Sequence, residues 1–92
     1  MHATSFIVGS AAARALTQLQ QLECREDFSE IRTVELLNAA AHSCERAHKA
    51  LRSDAAEAQA CLIHGATRLL AAAGRIDLDR SAMNVRDLRS AL

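Results

Sequence analysis

The chain contains no proline, tryptophan or tyrosine, and only three glycines and two phenylalanines in 92 residues. Strand-rich and loop-rich folds draw heavily on glycine and proline for their turns, so this scarcity argues against β-sandwiches and barrels and points to helix. With two aromatic residues in all, Phe6 and Phe28, no platform exists for stacking on nucleic-acid bases. Net charge is missing too. Eleven basic side chains balance eleven acidic ones, so the long-range field that draws a protein to nucleic acid or to an anionic membrane is absent. No apolar run reaches the roughly 20 residues of a membrane span. The opening residues Met1 to Val8 lack the basic start of a secretory leader, so a cytoplasmic location with no membrane partner is expected. The three cysteines, Cys24, Cys44 and Cys61, are odd in number and irregularly spaced, which fits reduced thiols better than a disulfide framework.

What the sequence does contain is alanine and leucine at helical intervals. A chain of this length supports one modest core, and self-association adds to what it buries. The expected fold is all-α, a small bundle of three to four helices around a central antiparallel helical hairpin, forming one domain over residues 1–92. The helices are expected at about 10–24, 28–51, 55–73 and 81–91.

Ser10 is a natural N-cap for the first helix, whose Ala12, Ala13, Leu16 and Leu19 make an apolar stripe. Phe6, Ile7 and Val8 either extend that helix or fold onto a neighbour. Asp27-Phe-Ser-Glu30 reads as a capping box opening the second helix. Along that helix Val34, Leu37, Ala41, Cys44, His48 and Leu51 follow the alternating three- and four-residue spacing of a coiled-coil seam. Asp54-Ala-Ala-Glu57 repeats the capping pattern just beyond Leu51, which forces a tight turn and an antiparallel third helix. That helix is expected to present Ala55, Ala58, Leu62, Ala66, Leu69 and Ala73 to its partner and to stop at Gly74, acting as its C-terminal cap. Asp79 or Ser81 caps a last helix carrying Met83, Val85, Leu88 and Leu92.

Four side chains have the types that a tetrahedral zinc needs: Cys44 and His48, then Cys61 and His64. Cys44 and His48 belong to the apolar seam, whereas Cys61 and His64 share a row with Glu57 and Arg68, so the four are not expected to converge and no metal or other cofactor is assigned. No serine or cysteine nucleophile is matched to a base and an orienting acid, and no glycine-rich phosphate loop is present, so no catalytic residue is assigned and the chain is not expected to be an enzyme. Arg75, Arg80, Arg86 and Arg89 are the only candidates for contact with nucleic acid, and the charge balance favours solvated arginines instead.

Residues 36–70 open with Leu36-Leu-Asn-Ala-Ala-Ala-His42, turn at Arg52-Ser-Asp54 and close with Gly65-Ala-Thr-Arg-Leu-Leu70. This stretch resembles the helical segment that precedes the DNA-binding domain in AraC-type bacterial transcription regulators. The resemblance implies a regulatory or dimerisation segment. It carries over no DNA-contacting residue, because none of that family's reading helices matches these positions.

The leading expectation is a non-enzymatic helical interaction or dimerisation module in bacterial regulation, a homodimer or the partner of another helical protein. Its expected interface comprises Val34, Leu37, Ala41, His48, Leu51, Leu62 and Leu69. The alternatives are a transcription-associated regulator touching DNA through its C-terminal arginines, and a zinc or thiol sensor.

Overall fold

In the computed structural model, the backbone of residues 2–91 and the side chains of residues 9–82 are described. Helix α1 runs over His2–Glu23, α2 over Thr33–Ala50 and α3 over Ala55–Ala91, with a single 3-10 turn at Phe28–Glu30 between α1 and α2. The fold is all-α, and the described residues include no strand.

The α2–α3 turn follows the capping chemistry. Asp54 and Ser53 donate their backbone N–H groups to the Ala50 carbonyl at 2.8 and 3.1 Å, closing α2. The Asp54 carboxylate then accepts the Glu57 N–H at 3.1 Å and satisfies one of the first orphan donors of α3. The helices return side by side. Arg46 meets Glu57, Ser43 meets His64, and Ser43 and Ala40 both flank Gly65, so numbers fall along α2 as they rise along α3.

The register of this contact differs from the expected one. Helix α2 buries Leu36, Ala40, Ser43 and Ala47, and α3 answers with Ala58, Cys61, Gly65 and Ala72. Of the residues expected to line the α3 side, only Ala58 is buried; Ala55, Leu62, Ala66, Leu69 and Ala73 are exposed. The reason is size. A Cβ built on Gly65 would lie 3.3 Å from the Ser43 Cβ and 3.4 Å from the Ala40 carbonyl oxygen, so the backbones approach too closely for leucine between them.

Gly74 does not end a helix. It has no positive φ, and α3 continues through it for 37 residues in all. At 1.5 Å per residue such a helix measures about 55 Å, which accounts for most of the molecule's 59 Å length. The last two expected helices are therefore one. Asp27 does not form the expected capping box either; its carboxylate takes a two-pronged contact from Arg25 at 2.8 and 2.9 Å, and α2 starts at Thr33 instead of residue 28. Helix α1 begins well before Ser10, so the backbone of Phe6, Ile7 and Val8 is helical. Met83, Val85, Arg86, Leu88 and Arg89 fall outside the described side chains, and Leu92 outside the described residues altogether.

Helix α1 packs on another side of α3. Thr67, fully buried, donates its hydroxyl to the Ile63 carbonyl at 2.9 Å and sits 3.3 Å from the Ala15 carbonyl oxygen. Further along, Leu22, Leu36, Ala71 and Ala72 form the point where all three helices meet, with Leu19, Phe28 and Ile31 laid against them. Arg75 holds the connecting segment on this cluster. Its guanidinium donates to the carbonyls of Ile31 and Phe28, the latter at 2.9 Å, and lies 4.7 Å from the centre of the Phe28 ring.

Charged donors to two carbonyls plus a cation–π contact make this clamp worth about 2 kcal/mol. Arg75→Ala is expected to lower the melting temperature by roughly 10 °C in a domain of this size. Thermal unfolding followed by circular dichroism checks this; an unchanged melting temperature would show that the segment is held without the arginine.

Candidate interaction surface

Two long edges flank the α2–α3 contact, and they differ in chemistry. Along one, the Arg46 guanidinium pairs with the Glu57 carboxylate at 2.9 Å, and Ser43 shares a 2.9 Å hydrogen bond with His64 Nδ1. At about 100° per residue, Leu37, Cys44 and Leu51 lie round α2 towards the other edge, and Leu62, Ala66 and Leu69 occupy the matching side of α3. All six are exposed. On α1, Ala11, Ala12 and Ala15 complete an open apolar groove with Leu62, Ile63, Ala66, Leu69 and Leu70 of α3. One side of the molecule is therefore apolar across parts of three helices, and the other is polar.

The expected interface residues fall on the apolar side. Val34, Leu37, Leu51, Leu62 and Leu69 remain between 45% and 62% exposed, and Ala41 and His48 are exposed with them. The seam seen in the sequence thus faces outward, roughly a quarter turn away from the face that α2 buries against α3. The small-residue row that makes the internal contact, Ala40, Ser43 and Ala47 against Ala58, Cys61 and Gly65, follows the same alternating spacing. Its signal is present in the sequence but lacks the large side chains by which seams are usually recognised.

The four cysteine and histidine candidates are distributed over three environments. Cys44 and His48 are exposed on the apolar side, Cys61 is buried between α2 and α3, and His64 lies on the polar edge. Among the described residues no group of three or more His, Cys, Asp or Glu side chains is placed to hold a metal ion. Cys61, expected on a row with the polar Glu57, His64 and Arg68, is instead enclosed; burial pushes its thiol pKa up, and the Glu57 carboxylate 3.5 Å away adds to the rise. Cys24 and Cys44 are exposed. Iodoacetamide is accordingly expected to modify two thiols per native chain rapidly and the third, Cys61, only after unfolding, as counted by intact mass. Equal reactivity of all three would contradict this packing.

On the polar side, an open cleft is lined by Gln18, Gln21, Leu22, Arg25, His64 and Arg68. Desolvation lowers the His64 pKa, and the positive charges of Arg68 and Arg46 lower it further. The folded state thus resists protonation of a side chain that titrates near 6.5 when unfolded. Its contribution to stability is complete above that pH and is lost as the pH falls through the lower, folded value. The urea midpoint is expected to fall on acidification from pH 7.5 to 5, and to fall less in His64→Gln; parallel curves for the two proteins would refute the assignment.

Of the four arginines considered for nucleic-acid contact, Arg75 is engaged with Phe28 and Ile31 and Arg80 is exposed. No helix among the described residues is long and apolar enough to cross a membrane. Fold and surface define the chain as an all-helical protein with one apolar side and one polar side. Comparison with family models, with curated proteins and with solved structures finds no match.

Proposed function

We propose that this chain is a helical interaction module that associates with a second copy of itself through its apolar side, without catalysing a reaction. The observation that carries this reading is the amount of surface left open. The chain exposes 7233 Å². A compact monomer of 9.9 kDa exposes about 5,200 Å² by the usual scaling of area with mass. The radius of gyration is likewise 16.7 Å against about 12 Å for a compact domain of this length. The excess, about 2,000 Å², is more than the roughly 800 Å² that each partner buries in a standard interface.

The apolar side carries leucines that the internal register cannot accept, so a second apolar surface is the natural cover for it. A second copy supplies such a surface by symmetry, and with zero net charge two copies meet without long-range repulsion. The resemblance of residues 36–70 to the segment preceding the DNA-binding domain of AraC-type regulators supports a dimerisation role in bacterial regulation.

Molar mass by light scattering across micromolar to millimolar concentration tests the proposal. A dimer at the upper end is expected. A mass that stays at 9.9 kDa throughout would refute it.

A further inference from the structure

The polar cleft lies on the side away from the apolar groove, and the proposed self-association makes no use of it. Its two walls come from α1 and α3, with Leu22 among its lining residues. Gln18 and Gln21 bring two amides from α1, Arg25 follows just after the end of that helix, and His64 and Arg68 face them from α3. The His64 ring is oriented from behind. Its Nδ1 is engaged by Ser43, a side chain buried between α2 and α3, which leaves Nε2 as the nitrogen available to the cleft.

The charges around the cleft are unevenly matched. The Asp27 carboxylate is taken by Arg25 and the Glu57 carboxylate by Arg46. Arg68 has no carboxylate partner among the described residues, and its resolved hydrogen bond goes to the His64 carbonyl. It is partly buried, and desolvation followed by the nearby positive charge of Arg25 both work against its charged form. Arg25 is thus matched by Asp27, and Arg68 is the guanidinium on this concavity without a carboxylate; beside the His64 imidazole it leaves a positive site for which an anion is the complement.

We propose that this cleft binds the phosphoryl group of a small phosphorylated molecule, with Arg68 holding its oxygens, Arg25 adding an N–H from Nη1 while its Nε and Nη2 stay on Asp27, His64 donating from Nε2, and Gln18 and Gln21 contacting the hydroxyl or amide groups next to it. A guanidinium presents paired N–H groups that match phosphate oxygens, which is why arginine recurs in such sites. The ligand is small because the positive groups are confined to this concavity. A nucleic-acid backbone needs a row of cations tracking successive phosphates, and a chain of zero net charge offers no such field.

The test is an NMR titration of the full chain, following the His64 imidazole with inorganic phosphate or with chloride at equal ionic strength. Phosphate is expected to move the His64 midpoint upward relative to chloride, because a bound anion favours the imidazolium. Arg68→Gln is expected to weaken phosphate binding by about tenfold, as does Arg25→Gln, each variant keeping its helical circular dichroism. An identical His64 titration in phosphate and chloride would overturn the proposal, as would an undiminished response in both variants. Binding of an oligonucleotide without any response to inorganic phosphate would overturn it in favour of a polyanion. Since the readout is a single side chain on the polar side, a failure here is distinct from a failure of self-association.

Discussion

Replacing Gly65 with leucine is expected to cost about 3 kcal/mol and to lower the melting temperature by roughly 15 °C. Even a methyl group at this position would lie 3.3 Å from the Ser43 Cβ and 3.4 Å from the Ala40 carbonyl oxygen, so a branched four-carbon side chain must push α2 away from α3. That separation would also expose Leu36, Ala47, Ala58 and Cys61, which are buried along the same contact. Gly65→Ala is the informative companion. Alanine gains up to about 1 kcal/mol of helix propensity over glycine. The tight contact with Ser43 opposes this by a similar amount, so the alanine variant is expected to melt close to the parent. Thermal unfolding of both variants measures the difference. If leucine is tolerated as well as alanine, α2 and α3 do not approach here as closely as described.

The second large effect concerns the apolar side. If the chain self-associates as proposed, Leu37→Glu and Leu69→Glu are each expected to raise the dissociation constant of that dimer by more than about a hundredfold. Burying one leucine is worth about 1.5–3 kcal/mol, and in a symmetric pair each substitution acts twice. The chain itself should remain folded, because both side chains are about half exposed and neither belongs to the three-helix cluster around Leu22. Light scattering reads the mass, and circular dichroism reads the fold. Loss of helix in either variant would mean that these leucines support the monomer, whereas an unaltered dimer would place the interface elsewhere.

Much of the fold was legible in the sequence. Absence of proline and scarcity of glycine pointed to an all-helical chain, and Asp54 with Glu57 located the start of α3 to the residue. The same capping logic misplaced the start of α2. Asp27 and Glu30 have the right types, but Arg25 takes the aspartate carboxylate, and Arg75 draws the segment into a 3-10 turn against Phe28. Gly74 has the usual identity of a C-terminal cap, yet the helix continues through it, at an exposed position where a methyl group would meet nothing. Glycine permits a left-handed residue without requiring one.

The sequence by itself determined that there are helices, where the tight turn falls, and that the second helix carries one apolar seam, Val34, Leu37, Ala41, Cys44, His48 and Leu51; the row that α2 buries, Leu36, Ala40, Ser43 and Ala47, was not read from it. Only the tertiary structure decided which row turns inward. Leucines are the stronger hydrophobic signal, but the distance between two helix axes is set by the smallest residues at the crossing, and Gly65 between Ala40 and Ser43 draws the backbones together until leucine no longer fits. Leu37, Leu51, Leu62 and Leu69 are thereby left on the outside, while Leu36 is buried where all three helices meet, and His64, anchored on Ser43, is placed beside Arg68 and Arg25 across a boundary between α1 and α3 that no local spacing encodes.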